Sequence, residues 1–190
     1  NCVIESNSFL VGGSSFGVFG AGMVINGGSC SILNSVFSNN TGGSGFLDSS
    51  RGGALVIDGT ANIVNSVFYN NSAQNGAALL FGGGDANLST VTNCSFVNNT
   101  GSFVGVGYQG FSKAIFKNCL FWNNTPTSNP VVGRDEIYSQ ENRIGFQPTF
   151  INCIIRDATG NPLAITNTVL VNSSNSNPLF VNSADGDGVD

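Results

Sequence analysis

Ile32-Leu33-Asn34-Ser35-Val36-Phe37-Ser38-Asn39-Asn40-Thr41 decides the reading of this chain, because the same letters come back three more times. They return as Ile63-Val64-Asn65-Ser66-Val67-Phe68-Tyr69-Asn70-Asn71-Ser72, as Val91-Thr92-Asn93-Cys94-Ser95-Phe96-Val97-Asn98-Asn99-Thr100, and as Phe116-Lys117-Asn118-Cys119-Leu120-Phe121-Trp122-Asn123-Asn124-Thr125. Decayed copies follow at 150–157 and 165–172, and Asn1-Cys2-Val3-Ile4 opens inside another. A repeat of this length sets the architecture before any local reading does.

The leading asparagines, Asn1, Asn34, Asn65, Asn93, Asn118, Asn152 and Asn167, are separated by 33, 31, 28, 25, 34 and 15 residues. A fixed motif on a variable period suits a coil with a constant wall and one loop of free length; paired-helix repeats hold their length more tightly. The wall reads as strand. Ala61 and Ile63 alternate, as do Ser66, Phe68 and Asn70, but the step from Ile63 to Ser66 is three, so the period-2 phase slips at Asn65. Such a slip marks a corner, and asparagine tolerates the left-handed backbone a tight corner needs. Two short strands therefore meet at each asparagine, with Ile, then Ser or Cys, then Phe facing inward.

Another strand precedes these two: Gly22-Met23-Val24-Ile25, Ala54-Leu55-Val56-Ile57, Ala78-Leu79-Leu80-Phe81 and Gly105-Val106-Gly107-Tyr108 are apolar runs bounded by glycine. Three short strands per coil, stacked in parallel over about six coils, predict an all-β, right-handed parallel β-helix solenoid, the hand following from the preference of parallel crossovers. Phe37, Phe68, Phe96 and Phe121 should then form one interior column. Asn34, Asn65, Asn93, Asn118, Asn152 and Asn167 should form a ladder of hydrogen-bonded amides, as stacked identical strands allow.

Charged residues make up 9 % of the chain, far below the usual quarter, while the hydrophobic share is an ordinary 41 %. With no histidine, six Lys plus Arg and a net charge of −5, neither nucleic acid nor an anionic membrane surface is an expected partner. No apolar run reaches the ~20 residues that cross a bilayer, so no membrane insertion is expected. The ends read as cut inside the repeat, which suggests a segment of a longer protein. Residues 1–190 read as one solenoid segment: a partial coil and loop at 1–21, regular coils at 22–125, an irregular stretch at 126–148 that holds Arg134, Asp135, Glu136, Glu141 and Arg143, and short terminal coils at 149–190.

Cys2, Cys94, Cys119 and Cys153 share one motif position with Ser35, Ser66 and Thr168, and Cys30 aligns with Ala61 and Ala114. Stacked Cβ atoms stand near the ~4.8 Å strand spacing, wider than the usual disulfide, so buried free thiols are expected. No metal site and no cofactor are expected, since there is no histidine and no C-x-x-C pair. Acid-base glycoside cleavage needs two carboxylates about 5 to 9.5 Å apart. Asp58 and Asp85 follow neighbouring first strands, but counted from Ala61 and Ala86 they do not stack; Arg51 near Asp48 and Asp58 is the only hint of an elimination site. The terminal Asp185-Gly186-Asp187-Gly188-Val189-Asp190 run lacks the distal Glu of a calcium loop and reads as an acidic turn. No catalysis is expected.

Outward positions carry more. After the asparagine corner they are Val36 and Ser38, Val67 and Tyr69, Ser95 and Val97, Leu120 and Trp122, Ile154 and Arg156, Val169 and Val171. Contiguous exposed apolar surface marks an interface, which makes Val67, Tyr69, Val97, Leu120 and Trp122 the candidate partner-binding residues. Loops folding back over this face would be equally compatible. Val24, Val56, Leu80 and Gly107 form a second outer column. A Thr-x-Thr array suited to ice occurs only at Thr90-Val91-Thr92.

The recurring N-[CS]-x-F-x-N-N-[TS], followed by strands such as Gly53-Ala54-Leu55 and Gly76-Ala77-Ala78-Leu79, resembles the pectate-lyase-like β-helix repeats of bacterial surface proteins, including polymorphic outer-membrane adhesins. Asp135-Glu136-Ile137-Tyr138, and Asn177-Pro178-Leu179-Phe180-Val181-Asn182, resemble final coils of large exported proteins sorted by type IX secretion. The resemblance implies a non-catalytic, extracellular structural or adhesive rod whose partners are other protein chains, neighbouring domains or surface glycans. A polysaccharide-binding or polysaccharide-cleaving module is the alternative, although the catalytic motifs of pectate lyases are not matched here. The Asn-x-Ser/Thr triplets, such as Asn39-Asn40-Thr41, read as ladder residues and would be glycosylation acceptors only in a suitable host.

Overall fold

The computed structural model describes residues 1–8, 18–42, 50–82, 88–101, 108–109, 113–126, 138–139, 147–156 and 169–174. Among these there is no helix, and all of the strand pairings given below are parallel.

Three sheets hold most of the strands, and the chain visits them in a fixed order. The lead sheet stacks Met23–Ile25, Leu55–Ile57, Leu79–Phe81, Tyr108–Gln109 and Tyr138–Ser139. The middle sheet stacks Ser29–Leu33, Thr60–Val64, Leu88–Thr92, Lys113–Lys117, Thr149–Ile151 and Val169–Val171. The trailing sheet stacks Val3–Glu5, Val36–Ser38, Val67–Tyr69, Ser95–Val97, Leu120–Trp122 and Ile154–Arg156. Parallel neighbours that recur one pass later in the same sheet are consistent with a parallel β-solenoid. Val18–Phe19 and Ser50–Arg51 make a further short pair.

The pass also contains a pairing the repeat did not announce. Ser72–Ala73, Thr100–Gly101 and Thr125–Pro126 form a short fourth sheet, extended by bridges from Ser8 to Thr41 and from Thr41 to Ser72. The polar residue after Asn-Asn, Thr41, Ser72, Thr100 or Thr125, is thus held in a ladder.

Register explains the core. Ile63 pairs with Ile32 and Val91, and Phe116 with Val91 and Phe150, so each pass sets a large apolar side chain over its counterpart. Phe37, Phe68, Phe96 and Phe121 stack with ring centroids 4.8, 4.9 and 4.7 Å apart and planes within 10°. Phe116 stacks on Phe150 at 4.8 Å and meets Phe96 edge-on at 6.2 Å. All six rings are essentially inaccessible to solvent. Each burial contributes about 1.5 to 3 kcal/mol, and an aromatic pair adds about 0.5 to 1.5 kcal/mol.

Three alignments change. Leu170 pairs with Phe150 and Asn172 takes the left-handed corner with φ of 49°, so the last corner is Asn172 and Val169–Val171 belongs to the middle sheet, not the trailing one. Asn167 and Thr168 lie outside the described residues, and Ser173 occupies the small-residue position, its hydroxyl accepting from Cys153 N at 3.2 Å. Tyr108 pairs with Leu80, the place read for Gly107, which lies outside the described residues. Ser89 stands at the Ala61 and Ala114 level, where Ala86 was aligned, and its hydroxyl accepts from Ala61 N at 3.0 Å.

Candidate functional site: the outer face of the trailing sheet

Each trailing strand is three residues long, and the four from Val36–Ser38 to Leu120–Trp122 are bounded by two corners. At the first, Asn34, Asn65, Asn93, Asn118 and Asn152 all have φ between 50° and 54°. These asparagines are exposed, and their amides chain together: Asn65 Nδ2 donates to Asn34 Oδ1 at 3.2 Å, Asn93 to Asn65 at 3.3 Å, Asn118 to Asn93 at 3.2 Å and Asn152 to Asn118 at 3.4 Å.

The second corner was not read from the sequence. Asn39, Asn70, Asn98 and Asn123 adopt φ of 53° to 55°, with Ser6 in the same role one pass earlier, and Asn123 Nδ2 donates to Asn98 Oδ1. The residue after each then turns fully inside. Asn40, Asn71, Asn99 and Asn124 are buried at 0 % exposure. Asn71 Oδ1 accepts from both N (3.0 Å) and Nδ2 (2.9 Å) of Asn40, while Asn71 Nδ2 donates to Phe37 O at 2.9 Å. Asn99 and Asn124 repeat the arrangement against Phe68 O and Phe96 O. A buried amide is stable only when satisfied, and these satisfy one another along the stack. The doubled asparagine in four successive copies was the available signal.

Between the corners the middle residue of each strand faces the core and its two neighbours face out. Val36, Val67, Ser95, Leu120 and Ile154 form one outer column in register. Ser38, Tyr69, Val97 and Trp122 form the other. All are half-buried except Ser38, which is buried. Val67, Tyr69, Val97, Leu120 and Trp122 thus lie on one continuous face, each shielded in part by its stacked neighbours. From Val36 to Trp122 the four strands contain no Asp, Glu, Lys or Arg.

The second proposed surface fares differently. Val56 and Leu80 are buried at 0 % and 3 %, so among the described side chains of that column Val24 alone, at 44 %, is exposed. Asp58 is exposed at the turn from lead to middle sheet, next to the Gly82 backbone. Asp48, Asp85, the charged stretch at 134–136 and 141–143, and the 185–190 run lie outside the described residues. Among the described residues no group of three His, Cys, Asp or Glu side chains is placed to hold a metal ion.

The cysteines are unbridged. Cys94, Cys119 and Cys153 are buried in one column, Cys119 Sγ donating to Lys117 O at 3.2 Å and Val91 O at 3.4 Å. Contact with the Cys153 and Cys94 thiols, together with burial, pushes the Cys119 thiol above its ordinary value. Cys119 is thus held in the protonated form, while the hydrogen bond with Cys119 lowers the Cys94 and Cys153 thiols on either side of it. Cys2 is exposed and Cys30 half-buried.

No protein-family model, no curated protein and no solved structure matches this chain.

Proposed function

We propose that the passes close into a right-handed parallel β-helix and that the chain serves as a rigid, non-catalytic rod of a secreted or bacterial cell-surface protein, contacting protein or glycan partners through its trailing face. The preference of parallel crossovers supports the hand. The repeat's resemblance to pectate-lyase-like β-helices of surface adhesins supports the setting. One observation carries the contact role: over the four strands from Val36 to Trp122 a neutral face, apolar at most positions, is presented on strands fixed by an aromatic stack within and amide ladders at both edges. Rigid presentation lowers the ordering cost of binding, and half-buried aromatic side chains such as Tyr69 and Trp122 are the usual anchors of an interface.

Light scattering on the wild type and on a Tyr69→Ser, Trp122→Ser double variant tests the contact role. Self-association that is lost in the variant supports an assembly face. The non-catalytic part is tested by incubation with a panel of polysaccharides. New reducing ends or unsaturated products in proportion to protein added would overturn it.

A further inference from the structure

We infer that the trailing face binds a neutral β-1,4-linked pyranose chain lying along the direction in which the strands stack; this rests on the reading of that face as a contact surface. Tyr69 and Trp122 stand in one column with Val97 between them, so they are two passes apart. At the strand spacing their separation along the stack is about 9.6 Å. The stacked core rings beneath, Phe68, Phe96 and Phe121, set that step at 4.9 and 4.7 Å. In an extended β-1,4-linked chain successive pyranose rings alternate by a half-turn, so every second ring offers the same face at one disaccharide repeat. That repeat is close to the spacing of the two aromatics. The pairing of an apolar sugar face with an aromatic side chain is the same physics that stacks a base on a ring.

The edges of the face suit the rest of a sugar. An equatorial pyranose presents apolar faces and a rim of hydroxyl groups. The trailing strands present an apolar floor two side chains wide, about 7 Å across, with asparagine corners on either side. Asn65, Asn93 and Asn118 each use one N–H and one lone pair within their ladder, which leaves each amide one donor and one acceptor for a hydroxyl. Charge narrows the class. An anionic uronate chain would call for Lys or Arg; the four strands from Val36 to Trp122 carry none, and the first such residue in the column is Arg156, one register position beyond Trp122.

Trp122 is the single tryptophan of the chain, so its emission reports on this face alone. The experiment titrates the full 190-residue chain with cellohexaose, and in parallel with maltohexaose and a galacturonate hexamer, following Trp122 fluorescence. Cellohexaose is expected to give a saturable change, and the α-linked and anionic hexamers to bind about tenfold more weakly or worse. Tyr69→Ala, which leaves the reporter in place, is expected to weaken cellohexaose binding about tenfold or more, as loss of an interface anchor does. In calorimetry Trp122→Phe should bind and Trp122→Ala should not, with strand content checked by circular dichroism in each variant. No response to cellohexaose, an equal response to maltohexaose, or full binding by Tyr69→Ala would overturn the inference. If glycan binding is absent but self-association is lost in the double serine variant, the occupant is a second copy and the contact face stands; if both are absent, both readings fall.

Discussion

Asn71 shows how a single amide holds two passes together. Truncating it leaves Asn40 N without its partner in the interior and removes one donor from Phe37 O, which stays in the strand ladder. A buried orphan costs about 1 to 3 kcal/mol, so Asn71→Ala should lower stability by at least that much in urea unfolding. Asn65, an exposed corner at φ 50°, should behave differently. Asn65→Gly keeps the backbone and should stay within about 1 kcal/mol of wild type, while Asn65→Val forces a β-branched residue into the left-handed region at about 1 to 2 kcal/mol. The contrast marks what the sequence made legible. A phase slip pointed to Asn65 as a corner, but nothing in the letters said which of two adjacent asparagines turns and which is swallowed. At Asn167 the letters misled, because Asn167-Thr168-Val169 and Asn172-Ser173-Ser174 offer the same pattern five residues apart; the stacking of Leu170 on Phe150 decides between them.

Cys119 adds a pH dependence. Its thiol is raised above the ordinary value in the fold, so the folded chain keeps a proton that the unfolded chain gives up. Stability from this group is complete below the unfolded pKa, near 8.5, and falls as pH rises beyond it, by at most about 1.4 kcal/mol per pH unit. The Cys94 and Cys153 thiols, lowered by their hydrogen bond with Cys119, act in the opposite sense, so the test is a comparison: unfolding midpoints from pH 7 to 10 should change differently in the wild type and in Cys119→Ser, a change the column accepts because Ser35, Ser66 and Ser173 hold the same position.

Among the elements, close approach of one pass to the next sets the tolerance. A Cβ at Gly53 would collide with Ala77 O and lie 2.7 Å from Ser72 O, both backbone atoms. Gly53→Ala must therefore push two passes apart, and overpacking of this kind costs about 1 to 3 kcal/mol. Phe96 sits in the middle of its stack, between Phe68 and Phe121 and edge-on to Phe116. Phe96→Ala should cost about 3 to 5 kcal/mol, read from the same unfolding curves. The strands of the trailing and middle sheets were visible in advance because alternation survives where one face is buried and the other is not. The lead sheet was harder. Leu55–Ile57 and Leu79–Phe81 are buried on both faces, so their apolar runs carry no phase, and Tyr108 was placed one residue out of register. The fourth sheet was missed because its strands are two residues long, too short to show any period.

At the scale of the molecule, protection should be graded along the stack. The core-level side chain of the last middle strand, Leu170, is 52 % exposed, and Val3 in the first trailing strand is 65 % exposed, whereas the passes between are sealed. Amide exchange should be fastest in these end strands and slowest around Phe68 and Phe96. With only 9 % charged residues, little of the stability rests on ion pairs, and it should change little between low and high salt.

The two amide ladders have one more property. Along the exposed corner each side chain donates toward the N-terminal end, from Asn152 back to Asn34. In the buried column the amide-to-amide bonds run the other way, from Asn40 toward Asn124, while the second N–H of Asn71, Asn99 and Asn124 goes to a backbone carbonyl. Side-chain dipoles aligned in one direction would add up with length, as they do in an α-helix. Here the two rows oppose each other, so lengthening the stack by another pass adds little net polarity and builds up no pole at either end to collect ions.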